Sequence, residues 1–280
     1  DAAHNARSIN QAALTVANWR DSVTTSTTTS VLPGEEIRDT PFLHGADLNS
    51  DGRTDLVYID FKGYVHYTTN LRDWTAIGLN RFSIITSGDF QKDGTNNDIA
   101  GINLRGYALY STDLTTWNKI GSNAFTELKS ADFSGSGSHR DLAGINRNGY
   151  ILYSDDLSSW EKIGANKFTS MITGDFSTSG RDKDIAAINM NGYILYTTDR
   201  EQWEKIGANK FTALTAADLD GSGTKDDLTA VTLNRYILCS SDRQNWSRIG
   251  LNKFSSLAVG DFNDDGTEDD IAAINLNQYI

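Results

Sequence analysis

Tryptophan returns every 43 residues through most of this chain, at Trp74, Trp117, Trp160, Trp203 and Trp246. An aspartate keeps the same beat at Asp47, Asp89, Asp132, Asp175, Asp218 and Asp261, with one interval of 42 residues and four of 43. Asn80, Asn123, Asn166, Asn209 and Asn252 each stand two residues before a phenylalanine. A fixed period of this length means that one supersecondary unit is repeated, and that neighbouring units bury faces none could bury alone.

Residues 166–207 display the unit as NKFTSMITGDF, STSGRDK, DIAAIN, MNGYILYTTD and REQWEKIG. The pieces are short, apolar or alternating, and bounded by Gly, Asn, Asp or Ser, as strands between tight turns are. Four strands are predicted, around Met171 to Phe176, Asp184 to Asn189, Tyr193 to Thr197 and Trp203 to Ile206. Four strands per unit of this length make a propeller blade. The expected fold is therefore all-β, a six-bladed β-propeller of four-stranded antiparallel blades over residues 33–280. The sixth repeat reaches Ile280 inside its third strand, which leaves an edge to be covered. Residues 1–32 are expected to supply the closing strand. One candidate is the region of Asn18 and Trp19; the preferred one is residues 25–31, with a short helix over residues 8–19.

Charge narrows the partners. Against 25 basic residues stand 37 acidic ones, a net charge of −12, which repels phosphate backbones and argues against nucleic acid. No apolar run approaches the ~20 residues of a membrane-spanning helix. The chain opens at Asp1 without a charged-then-apolar leader, as a processed, secreted protein would. Its single cysteine, Cys239, stands where other repeats carry Tyr110, Tyr153 and Tyr196, and is read as a packing substitute.

Much of the acid is concentrated between the first and second strands. Repeat one reads Asp47, Asn49, Asp51, Gly52, Arg53, Asp55, and repeat six reads Asp261, Asn263, Asp265, Gly266, Thr267, Asp269. Oxygen ligands at alternate positions around a glycine turn, with a backbone carbonyl from Arg53 or Thr267, suit a hard cation that takes six to eight oxygens. Calcium is the expected cofactor. Repeat two offers Asp89, Gln91, Asp93, Thr95 and Asn97; repeat five offers Asp218, Asp220, Ser222, Thr224 and Asp226. Repeats two to six carry one extra loop residue, so Asp98, Asp141, Asp184, Asp227 or Asp270 competes for the last ligand position. Repeats three and four, with serines in place of acids, are expected to be poor sites. An EF-hand is excluded, because position 12 is Tyr58 or Ala272 and a strand follows.

An Asp-x-Asn-x-Asp-Gly-x-x-Asp loop between two strands of a blade resembles the FG-GAP repeats of integrin α-subunits. The whole unit, with its GYILY-type third strand, is similar to secreted propellers including the mushroom lectins typified by the Psathyrella velutina lectin. The resemblance implies calcium-stabilised blades and glycan or glycoprotein ligands in repeated crevices. Aromatic faces for sugar rings are expected from Trp74, Trp117, Trp160, Trp203 and Trp246 with Tyr107, Tyr150 and Tyr193. The alternative is a protein-binding or adhesion propeller. An enzyme is not expected. The stretch Ser111 to Trp117 resembles the Asp-box of sialidases, which is a folding turn there, and no unique pair of carboxylates stands out for glycoside cleavage.

Overall fold

A computed structural model describes residues 42–262 and 269–277, and every regular element in them is a β-strand. The first unit comprises β1 (Phe42–Ala46), β2 (Asp55–Ile59), β3 (Tyr64–Thr68) and the start of β4 (Thr75–Gly88). The second continues from the end of β4 through β5 (Asp98–Asn103) and β6 (Tyr107–Ser111) into β7 (Asn118–Ala131). The third adds β8 (Asp141–Asn146), β9 (Ile151–Ser154) and β10 (Glu161–Lys162) to the end of β7. The fourth is β11 (Phe168–Gly174), β12 (Asp184–Asn189), β13 (Ile194–Thr197) and β14 (Glu204–Lys205). The fifth is β15 (Phe211–Ala217), β16 (Asp227–Thr232), β17 (Ile237–Ser240) and β18 (Ser247–Ile249). A sixth begins with β19 (Phe254–Gly260) and β20 (Asp270–Asn275).

Every pairing is antiparallel between sequence neighbours, so each unit is a meander. The predicted strands of unit four coincide with β11 to β14 to within three residues at each boundary, β11 reaching back to Phe168. Residues 1–32, expected to hold the closing strand and a helix, lie outside the described residues.

Within a unit, burial follows position. In units two to five the second strand is covered on both faces, β5, β8, β12 and β16 each being buried through five successive residues. The last strand is a short, exposed edge such as Glu161–Lys162 or Glu204–Lys205, charged in a way that discourages further pairing. The core lies between units rather than inside them. One cluster joins Val57, Ile59 and Ile77 of unit one to Phe82, Ile85 and Ile99 of unit two, and three more repeat the arrangement at the next three junctions. First strands of consecutive units also lie beside one another, β1 by β4, β4 by β7, β7 by β11, and on to β19.

Candidate functional site

Antiparallel meanders put the first-to-second and third-to-fourth connections at one end of every unit. The second-to-third hairpin and the link to the next unit fall at the other. The two ends differ in chemistry.

At the first end are the acidic loops. In unit one, Asp47 Oδ1 and Oδ2 accept the Asp51 and Gly52 amides at 3.1 and 2.9 Å, and Asp51 accepts the Arg53 amide. Asp55 closes the loop by accepting the Leu48 amide at 2.9 Å. Unit two repeats this with Asp89 on the Asp93 and Gly94 amides and Asp98 on the Gln91 amide, while Asp93 accepts from Thr95 and Asn97 reaches Ser50 of unit one. Neighbouring loops are joined in series: the Asp89, Asp132 and Asp175 amides donate to the carbonyls of His139, Asp182 and Lys225.

In unit five, carboxylate oxygens of Asp218, Asp220 and Asp227 all lie within 4.8 Å of one another, a set that could hold a metal ion. The adjacent Asp226 is shared: its Oδ2 meets Arg243 at 3.2 Å while its Oδ1 accepts from the Thr224 and Ser222 hydroxyls at 3.0 and 3.4 Å, so the extra loop residue delivers Asp227 to the three-carboxylate cluster and leaves Asp226 at its edge. Ser222 and Thr224 hydroxyls bond to each other at 3.0 Å beside them. Asp227 is fully buried and its Oδ1 lacks any hydrogen-bond partner, while burial, first of all, pushes its carboxyl up to about 6. A desolvated oxygen without a donor, next to two more carboxylates, fits a hard cation better than an Asx turn. In unit three guanidinium groups already stand by the acids: Arg181 of unit four lies 3.9 Å from Asp132, and Arg140 lies 3.8 Å from Asp141. In repeat six, Asp261 and Asp269 are described and Asn263, Asp265 and Thr267 lie outside the described residues.

The third-to-fourth turns are cruder anion cradles. Asp113 accepts from the Thr116 hydroxyl and from the Thr116 and Thr115 amides, which hold its carboxyl well below the usual range. Leu114, at φ 53°, takes the left-handed step that brings those amides round.

The aromatic residues expected to face sugars are engaged elsewhere. Trp117, Trp160, Trp203 and Trp246 pack on Phe82, Phe125, Phe168 and Phe211 with ring centroids 4.2 to 4.6 Å apart. The Trp117 and Trp160 indoles also donate to the carbonyls of Ile77 and Ile120 in the preceding unit. Trp74 meets Tyr58 edge-on at 4.8 Å and is 42% exposed. Tyr107, Tyr150 and Tyr193 are each capped by a lysine ammonium 3.5 or 3.6 Å from the ring centroid, from Lys119, Lys162 and Lys205.

The opposite end is basic and partly apolar, and sequence reasoning missed it. Its hairpins and links carry Lys62, Arg81, Arg105 and Arg147, then Lys167, Lys210, Arg235 and Lys253, with Asp60 the one acid among those connections. Between the cations protrude Leu79 (89% exposed), Leu251 (84%), Met190 (64%), Leu104, Leu233 and Leu276. Amides of Phe82, Phe125, Phe168, Phe211 and Phe254 donate to carbonyls of the preceding unit's hairpin at 2.7–2.8 Å, so this rim is continuous. The signal was present in the GANK, GLNK and GLNR links, but periodicity hides it, because each link alone reads as a polar turn.

A hollow of about 450 Å³ lies where the first strands of units one to four meet, lined by His44, Thr86, Glu127, Lys129 and Ser170 among others. His44 Nε2 lies 3.1 Å from Ser87 Oγ, and Glu127 Oε2 accepts the Met171 amide at 3.1 Å. Burial, with help from Lys129, holds the imidazole down at about 4; burial pushes the Glu127 carboxyl up to about 7 against Lys129 and that amide.

No family model and no curated protein sequence matches the chain. Solved structures do. BBS1N, crystallised in complex with ARL6DN, aligns at a TM-score of 0.65 and 12% identity over 88% of this chain and 80% of its own. YCF48 bound to D1 peptide aligns at 0.52 and 13% over 73% and 68% respectively. A GH74 enzyme of Niastella koreensis aligns at 0.53 and 15%, over 70% of this chain and 30% of the enzyme. At such identities the likeness concerns the fold, which in BBS1N, in YCF48 and in this chain is that of a β-propeller.

Proposed function

We propose that this chain is a protein-binding β-propeller that engages an acidic, aliphatic-bearing polypeptide segment on its basic rim. The observation that carries the reading is the rim itself: cations repeated from unit to unit, interleaved with exposed Leu and Met, in a chain whose net charge is −12. Charge segregated against the overall balance steers an acidic partner to one face, and protruding aliphatics mark a contact surface. Two propellers of similar fold were solved with a protein or a peptide partner, which supports the same direction. Glycan binding has less behind it, because the Trp and Tyr faces it would use are packed or capped.

On this reading the six repeats form one six-bladed ring, and the FG-GAP-like loops at the far end are structural. Asp218, Asp220 and Asp227 hold calcium in unit five, the one such group of three among the described residues, and the loops of units one, two and six, with Asn49, Gln91 and Asn263 at the Asp220 position, hold it through Asp47 and Asp51, Asp89 and Asp93, and Asp261 and Asp265. The cation there neutralises clustered carboxylates and ties the strands together.

Peptide display against the intact chain tests the proposal. Enrichment of sequences pairing Asp or Glu with Leu, Ile or Met is expected, with affinity falling at least tenfold in the Lys167→Glu/Lys210→Glu variant. Saturable binding to neutral oligosaccharides on a glycan array, with no peptide enriched, would return the reading to a lectin.

A further inference from the structure

Repeats this regular make any departure informative, and the first strands depart from one another inside the hollow. Counting back from the aspartate that opens each acidic loop, the third and fifth residues are His44 and Phe42 in unit one and Lys129 and Glu127 in unit three. The equivalents in units five and six are Thr215 with Ala213 and Ala258 with Ser256. A scaffold has no use for an imidazole, a carboxyl and an ammonium at places where Thr, Ser and Ala suffice, since desolvating such groups costs stability.

We propose that this hollow binds a small organic monocarboxylate, its carboxylate held by Lys129 and Glu127 and its apolar body lying on Phe42 and Ile84. The volume, about 450 Å³, suits a small-molecule site, and its walls combine an apolar side with a few convergent polar groups. Lys129 is the one permanently charged cation among the described lining residues, so one negative charge is matched and several are not. The net charge of −12 acts further against polyanions. Glu127 commits Oε2 to the Met171 amide and leaves Oε1 for the ligand. With its carboxyl protonated up to about pH 7, Oε1 can donate to the bound carboxylate, and the anion in turn favours that proton. The Ser170 hydroxyl lines the same hollow and can donate as well, whereas those of Thr126 and Thr169 donate to the Ile145 and Ile188 carbonyls. His44, held neutral and fixed on Ser87, adds no competing charge.

Benzoate is a suitable probe, with benzamide as its uncharged counterpart. Titration of the full chain at pH 6.5, followed through the His44 imidazole resonances, should show saturable benzoate binding with Kd in the millimolar range or below. Benzamide should bind about tenfold more weakly, the worth of one charge-assisted contact. Lys129→Gln should remove that discrimination while leaving the thermal unfolding midpoint unchanged. Equal affinities for the two probes, a benzoate affinity unmoved by Lys129→Gln, or an absence of saturable shifts would each overturn the proposal.

Discussion

His44 and Glu127 are held in opposite protonation habits by one environment, and that makes their contributions to stability separable. The folded chain keeps Glu127 protonated up to about pH 7, above the ordinary value of 4.5, so the carboxyl makes the fold less stable as pH rises from 4.5 to 7. It keeps His44 neutral down to about 4, below the ordinary 6.5, so the imidazole makes the fold less stable as pH falls from 6.5 to 4. The two slopes oppose each other over most of that range. Denaturant unfolding of Glu127→Gln should gain on the parent as pH rises from 4.5 to 7, by on the order of 1–3 kcal/mol. His44→Gln should gain on the parent as pH falls from 6.5 to 4. Curves parallel to the parent would mean that both groups are solvated in the folded chain. The same scale explains what the sequence left open in unit five. Asp226 and Asp227 are adjacent and chemically identical, and the strand register, together with Arg243 drawing on Asp226 Oδ2 from 17 residues away, decides that Asp227 joins Asp218 and Asp220 while Asp226 keeps only its Oδ1 on the Ser222 and Thr224 hydroxyls. Asp227→Asn should therefore abolish the response of unit five to calcium, and Asp226→Asn should leave it in place, as isothermal titration of the two variants would tell.

The strands were the most legible part of this chain, because a 43-residue period writes each element several times over. The second strand of unit four, residues 184 to 189, runs in the structure as it reads in the sequence. Less legible were the joints. In β4 and β7 the last strand of one unit leads into the first strand of the next as one 14-residue element, with a register shift in its pairing where the Gly-x-Asn link falls. Each link turns on a glycine at φ near 60°, a region other residues enter at a cost. At Gly164 the cost would be compounded: a Cβ there would come 2.9 Å from Nε1 of Trp203 in the next unit. Gly250 adopts φ 65° in the same turn, and among the described residues nothing would lie within 4 Å of a Cβ there. Ala substituted at both positions separates backbone strain from the inter-unit contact. Gly250→Ala should cost about 1 kcal/mol and Gly164→Ala about 1–3 kcal/mol more, read from chemical denaturation. Equal losses would mean that the tryptophan gives way freely and that the packed Phe168–Trp203 pair contributes little to the junction.

At the scale of the molecule, the meander sorts the chain's charge by end. The alternating direction of the strands sends the acidic loops and Asp turns one way and the Lys/Arg-bearing hairpins and links the other. A net charge of −12 gives no hint of this, because the sum conceals a dipolar arrangement that only the topology resolves. The separation assigns different work to the two ends. On the proposed reading the acidic end, stitched by amide bonds from loop to loop and holding desolvated carboxylates, is where a cation would contribute to stability. The basic end, with its exposed Leu79, Met190 and Leu251, is where the proposed partner would dock. Interactions across the body of the propeller are screened beyond about 8–10 Å at physiological ionic strength. The two roles should therefore separate experimentally. Chelation should lower the unfolding temperature, since a cation bound only by the folded chain stabilises it by mass action. At 15 °C, where the metal-free fold is still intact, chelation should leave affinity for an acidic Leu-bearing peptide within twofold. Lys167→Glu/Lys210→Glu should do the reverse, weakening the peptide at least tenfold while the calcium-dependent rise in unfolding temperature persists. Raising salt from 50 to 300 mM should slow peptide association steeply and change its dissociation little, as rim charges that steer an encounter do. A peptide affinity that collapses on chelation would place the docking surface at the acidic end instead, with the cation as part of the contact.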